Sequence, residues 1–144
     1  MRSALLAFAI AVLILPMTAF EQSAQAQTDL PPNPEIESTI QRQIDAFLAD
    51  DLGAAFSYAS PGIKGMFGTP ERFGRMVRQG YPMVWRPGTV RYLDLRRDGD
   101  RRIQRVMITD REGALHLLEY QMIPAADGWQ INGVTVLRAP TTGA

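Results

Sequence analysis

Cysteine is absent from this 144-residue chain, lysine occurs once, at Lys64, and histidine once, at His116. Without cysteine there is no disulfide framework and no lipid-modified cysteine of the bacterial lipoprotein kind, so stability must come from packing. One histidine and no cysteine cannot supply the four ligands of a structural zinc site, and no Asp-x-Asp-x-Asp-Gly loop offers calcium a seat. No Gly-x-Ser-x-Gly elbow is present either, which argues against a serine hydrolase. Pro61-Gly62-Ile63-Lys64-Gly65 lacks phosphate-loop spacing and reads as a turn. Excess charge of one sign is also missing, since 15 Lys and Arg face 15 Asp and Glu. That balance excludes broad electrostatic capture of nucleic acid or an anionic membrane. The expectation is no metal, no cofactor and no nucleic-acid partner.

What is present begins with Arg2, an apolar run from Ala4 to Leu15, and a small-x-small site at Ala24-Gln25-Ala26. This reads as a secretory signal over 1–26, because spanning hydrocarbon takes about 20 apolar residues and the run is shorter. The expected product is exported, periplasmic or extracellular, with no stable membrane anchor after cleavage. Residues 27–33, with Pro31 and Pro32, read as a flexible leader, and 139–144 as a disordered tail. What lies between, 34–138, has room for one domain with a single core.

Asn33 with Pro34 marks a helix start, and Ile36, Ile40, Ile44, Phe47 and Leu48 recur at helical spacing over 34–49. Asp50-Asp51 stops that helix and caps a short second one over 52–59. Ser60-Pro61-Gly62 breaks it, and a turn-like piece carries Ile63, Met66 and Phe67. Thr69-Pro70-Glu71 then restarts a third helix that runs to about residue 79. From Trp85 onward the period becomes alternating, with strands expected over 89–96, 102–110, 114–123 and 129–138. Asp98-Gly99, Glu112-Gly113 and Asp127-Gly128 punctuate them and suit tight antiparallel connections. The layout is α+β, three N-terminal helices packed on an antiparallel sheet of about four strands.

That element order resembles the nuclear transport factor 2-like (cystatin-like cone) superfamily, in which helices fill a strongly curved sheet around a pocket. A narrower similarity rests on residue strings. They are Phe47-Leu48-Ala49-Asp50-Asp51, Ala55-Phe56-Ser57-Tyr58-Ala59-Ser60-Pro61-Gly62-Ile63, Phe67-Gly68-Thr69-Pro70, Met76-Val77-Arg78, Gly80-Tyr81-Pro82, Arg86-Pro87 and Gly128-Trp129-Gln130-Ile131. They resemble an exported bacterial family known as domain of unknown function 4864, across nearly all of the mature chain. The resemblance implies a fold and a compartment and no catalytic residue. The wider superfamily includes isomerases, dehydratases and epoxide hydrolases beside members that only bind or dimerise, and fold alone cannot choose among them.

Candidate site residues follow from the alternation. His116 shares a strand face with Leu118, Tyr120 and Met122 and has the chemistry of a general base. His116 and Tyr120 stand roughly 13 Å apart at about 3.3 Å per residue, so any partner of either must come from a neighbouring element. Asp94 shares a face with Val90 and Tyr92, making Tyr92 and Asp94 the most enzyme-like pair, against the plainer reading of a surface aspartate beside Arg96. Tyr58, Tyr81, Trp85, Tyr92, Tyr120 and Trp129 fall near the expected helix-to-sheet interface. Of these, Tyr58, Tyr81 and Trp85 are the candidate ligand contacts, the last two because they sit in a loop-like segment before the sheet. The arginines at 96, 97, 101, 102 and 105 are diluted by Asp94, Asp98 and Asp100 and read as a solvated hairpin.

Both faces of the strand over 114–123 carry apolar residues, with Leu115, Leu117 and Ile123 opposite Leu118, Tyr120 and Met122. A sheet covered by helices on one side needs only one apolar face, so a homodimer through the sheet is expected to cover the other. The functional expectation is a non-catalytic module that binds a small apolar or amphipathic ligand or another protein. The alternative is a cavity enzyme of the isomerase, dehydratase or hydrolase type working by acid-base chemistry, with Asp94 or His116 as base and Tyr92 or Tyr120 as hydrogen-bond donor.

Overall fold

Cap chemistry sets where the helical layer begins. The Asn33 side-chain oxygen accepts from the amides of Glu35 and Ile36 at 3.0 and 3.3 Å, and α1 (Pro34–Leu48) starts at the proline that follows. Asp51 accepts from the Ala54 amide and opens α2 (Leu52–Ser57). Thr69 accepts from the Arg72 amide and opens α4 (Pro70–Gly80). Asp50, between the first two helices, takes a left-handed φ of 55°, and its carboxylate binds Arg86 at 2.6 Å. These starts come from a computed structural model that describes residues 28–137. The signal reading of 1–26 and the tail reading of 139–144 lie outside the described residues.

Two further helices stand where none was expected. Ser60-Pro61, read above as a break, is a cap and first-turn proline: the serine hydroxyl accepts from the Ile63 amide and α3 (Pro61–Phe67) follows. A single turn, α5 (Pro82–Trp85), replaces the loop-like segment before the sheet. The helical layer thus has five members among the described residues. None is long and apolar enough to cross a membrane.

The sheet is antiparallel and open, in the order β1-β2-β3-β4-β5. It comprises β1 (Thr28–Leu30), β2 (Pro87–Asp98), β3 (Arg101–Asp110), β4 (Leu115–Ala125) and β5 (Gly128–Leu137). The count expected from alternation was four. The fifth comes from the segment read as a leader, where Thr28 to Leu30 pair with Arg97 to Leu95 along the edge of β2. The core lies between sheet and helices. Ile36, Ile40, Ile44 and Phe47 of α1 are wholly buried, as are Val106, Ile108, Leu118, Tyr120 and Met122 of the sheet. Phe73 and Val77 of α4 and Met83 and Val84 of α5 complete it.

One irregularity decides which side chains meet that core. Tyr92 pairs with Val106 and Leu95 with Gln104, so Leu93 and Asp94 together stand opposite Arg105. An extra residue in one strand shifts its alternation by one. After Tyr92 the inward position therefore passes to Leu95, 3% exposed, and Asp94 turns to the outer face. The buried Gln104 side chain stitches the bulge, its amide nitrogen 3.1 Å from the Leu93 carbonyl and 2.9 Å from that of Arg105.

Candidate functional site

Between α1, α3, α4, the turn at Tyr81 and the inner face of β4 and β5 lies a cavity of about 230 Å³. Its walls are Phe47, Phe67, Phe73, Ile63, Val77, Val84, Ile131, Val134 and neighbours of the same kind, and among the described residues no charged side chain lines it. Phe73 is the hub of the aromatic wall, with ring centroids 5.8 Å from Phe47, 5.4 Å from Phe56 and 5.8 Å from Phe67. At the mouth, α3 buries no residue of its own, and Met66 is 73% exposed.

Three polar side chains enter this apolar wall. Gln43 is 3% exposed, and its amide nitrogen donates to the Ala55 carbonyl at 3.1 Å. The Tyr81 hydroxyl donates to the Val134 carbonyl at 2.9 Å. Tyr120 is wholly buried, yet its hydroxyl has no hydrogen-bond partner among the described residues. Burial, and to a lesser degree the neighbouring Tyr92 and Tyr81, push the Tyr120 phenol well above its ordinary pKa, so it remains a protonated donor. A buried hydroxyl without a partner loses its water hydrogen bonds and regains none, which costs about 1–3 kcal/mol. Among the described residues three other buried side-chain atoms lack a hydrogen-bond partner, namely Arg96 Nε, Arg105 Nε and Gln104 Oε1, but none of these residues lines the cavity.

The remaining sequence candidates lie elsewhere. Tyr92 donates to Gln41 Oε1 at 2.8 Å, and burial, with the charges of Glu37 and Asp45, raises its pKa. The bulge separates it from Asp94, which is exposed and has a carboxylate oxygen 3.8 Å from Arg105 Nε. The expectation that Tyr92 and Asp94 share a face is therefore corrected. On the outer face Asp94 joins a small ion-pair network in which Glu119 accepts from Arg96 at 2.9 Å and from Arg105 at 3.1 Å. Burial opposes ionisation of Glu119, and the hydrogen bonds from Arg105 and Arg96 outweigh it, holding its carboxyl below the usual range.

His116 does find its partner on a neighbouring strand. Its Nε2 lies 2.7 Å from Asp110 Oδ2. The other Asp110 oxygen accepts from the amides of Glu112 and Ala114 in the β3–β4 turn. The His116 hydrogen bond first, and the Ala114 amide second, hold the Asp110 carboxyl below its ordinary value. This pair lines a separate surface groove with Arg78, Trp85, Arg86 and Arg111. Trp85 packs on Phe47 with centroids 5.6 Å apart, and the Arg86 guanidinium sits 4.6 Å over its ring. Tyr58 lies in a third, open and polar groove with Ser38, Arg42 and Trp129. Of the seven candidates, the cavity thus gathers Tyr81 and Tyr120. Among the described residues no group of three or more His, Asp and Glu could hold a metal ion.

The sequence reading passed over Gln43. It stands seven residues after Ile36 and three after Ile40, on the apolar stripe of α1, and a polar residue at that spacing is the signal that could have found it.

Comparison with known proteins adds a family. The family model described as a domain of unknown function (DUF4864) matches residues 29–144. No curated protein and no solved structure matches the chain.

Proposed function

The chain belongs to the DUF4864 family, whose description carries no activity, and from the geometry of the cavity we propose that it is a non-catalytic module that binds a small, mainly apolar molecule there. The carrying observation is an apolar cavity of about 230 Å³ whose wall includes Tyr120, a tyrosine with a buried hydroxyl that has no partner among the described residues. Apolar cavities smaller than this, about 150 Å³, hold benzene-sized ligands. A ligand here would gain apolar contact with the aromatic wall and remove the cost of the unpaired phenol. Against the cavity-enzyme alternative stands the wall itself, whose only titratable side chains among the described residues are the two tyrosines Tyr81 and Tyr120. Native mass spectrometry of protein isolated from its own cells tests the reading. A co-purifying apolar molecule, or saturable binding of small aromatic probes by calorimetry, is the expected result. Failure of every such probe to bind would overturn it.

The order of helices before an antiparallel meander, with a cavity between the layers, supports a cone-like fold of the nuclear transport factor 2-like kind. The apolar run and small-x-small site support export, and a mature N-terminus at Gln27 in fractionated cells is the expected outcome. Leu115 at 57% exposure, beside half-buried Leu117, Ile123 and the Leu137 that pairs with Leu117, supports a homodimer packed through the outer face of the sheet. Sedimentation across micromolar concentrations tests it, and a constant monomer mass would remove it.

A further inference from the structure

Resting on the binding reading above, we infer the chemical class of the ligand: an uncharged, largely apolar molecule of about ten non-hydrogen atoms carrying one hydrogen-bond-accepting oxygen. Size comes first. If a cavity of about 150 Å³ suits the six atoms of benzene, then 230 Å³ suits roughly nine or ten. The absence of charge comes from the wall. Among the described residues no Asp, Glu, Lys, Arg or His lines the cavity, so an ionised ligand would leave its water with no counter-charge there to meet it.

The accepting oxygen comes from Tyr120. Gln43 and Tyr81 already donate to backbone carbonyls, whereas the Tyr120 hydroxyl is wholly buried and donates to nothing. A phenol held protonated by its surroundings is a donor in search of an acceptor. A ketone, ether or ester oxygen on a ring or short chain meets that need once the side chains that cover the hydroxyl move aside, while the rest of the molecule fills the space among Phe47, Phe67 and Phe73. Water is a poorer occupant, because an ordered buried water needs two to four polar partners and these walls are mostly hydrocarbon. The ligand's path runs past α3, which buries none of its own residues while contributing Ile63, Met66 and Phe67 to the cavity wall.

Three probes of matched size separate the claims when titrated into the full chain at pH 7: propiophenone, propylbenzene and phenylacetate. The ketone is expected to bind about five- to tenfold more tightly than the hydrocarbon, the ratio one buried hydrogen bond supplies. Phenylacetate, ionised at this pH, is expected to bind about a hundredfold more weakly than the ketone, if at all. Tyr120→Phe should bring the ketone down to the hydrocarbon's affinity. In the unmodified protein the carbonyl ¹³C signal of labelled propiophenone should move downfield on binding, a readout that stands even if the variant does not fold. Equal affinities for ketone and hydrocarbon, with an unmoved carbonyl signal, would overturn the oxygen assignment while the binding reading stands. Phenylacetate binding as tightly as the ketone would overturn the uncharged assignment. If none of the three binds, the binding reading fails, and this inference with it.

Discussion

His116 and Tyr120 occupy the same face of the same strand, four residues apart, and their polar groups end differently. The histidine, at the open end of β4 with a quarter of its side chain exposed, is paired at 2.7 Å with an aspartate whose other oxygen is fixed by two turn amides. The tyrosine, in the middle of the sheet and wholly enclosed, has a hydroxyl with no partner. A reader looking for chemistry in the sequence goes to the histidine first. Yet the Asp110–His116 pair also does a structural job, tying β4 to the β3–β4 turn. The unmet demand lies with the residue that looks like ordinary core. A group that can reach water at its edge needs no ligand, whereas one sealed away from water is satisfied only by what enters the cavity.

The contrast breaks most visibly at the histidine end. Gly88 in β2 lies against the end of β3, where an added Cβ would come within 2.8 Å of the carbonyl oxygens of Thr109 and Asp110. Those are backbone atoms and cannot swing aside, so Gly88→Ala should cost about 2–3 kcal/mol in urea unfolding. Because His116 is the only histidine, its ring signals report the displacement of Asp110 without ambiguity. A cost below about 0.5 kcal/mol with unmoved ring signals would mean that this end adapts easily.

Acid separates the two ends next. A carboxyl whose folded pKa is depressed adds stability that is complete above the ordinary carboxyl value of about 4 and is lost as pH falls through the lower folded value. Asp110 and Glu119 both behave in this way. Stability should therefore fall below about pH 4, and Asp110→Asn should make that acid limb shallower. An acid limb of unchanged steepness in the variant would show that His116 does not stabilise the ionised carboxylate.

What could be read in advance follows the range of the interaction. Asn33-Pro34, Asp51 and Thr69-Pro70 mark helix starts because a cap bonds to amides two or three residues away. Ser60-Pro61 carries the same chemistry, but the glycines at 62 and 65 and the lack of a buried stripe hid α3 behind a turn. β1 has three residues, and its pairing partner lies about seventy residues further along the chain, so nothing local announces it. The bulge that turns Asp94 outward is held by Gln104 from the next strand, and alternation within β2 alone gives the opposite face. Tyr120 was legible as an inward side chain. Its missing partner was not, because that depends on where Gln43, Tyr81 and five helices come to rest.

The smallest expected effects sharpen the comparison most, because two tyrosines of the same cavity should respond with opposite signs. Tyr81→Phe removes a hydroxyl that satisfies the Val134 carbonyl and should destabilise the ligand-free protein by about 1 kcal/mol. Tyr120→Phe removes a hydroxyl that satisfies nothing and keeps the ring that fills the core. It should leave stability unchanged or raise it by about 0.5 kcal/mol, since a buried donor without an acceptor disappears along with its desolvation cost. Both variants lose one oxygen from the same kind of side chain, so differences in ring packing and helix propensity largely cancel between them. The sign of the difference measures whether each hydroxyl is paired when the cavity is empty. If Tyr120→Phe costs as much as Tyr81→Phe, its hydroxyl has a partner in solution, and the demand assigned to a ligand is already met within the protein.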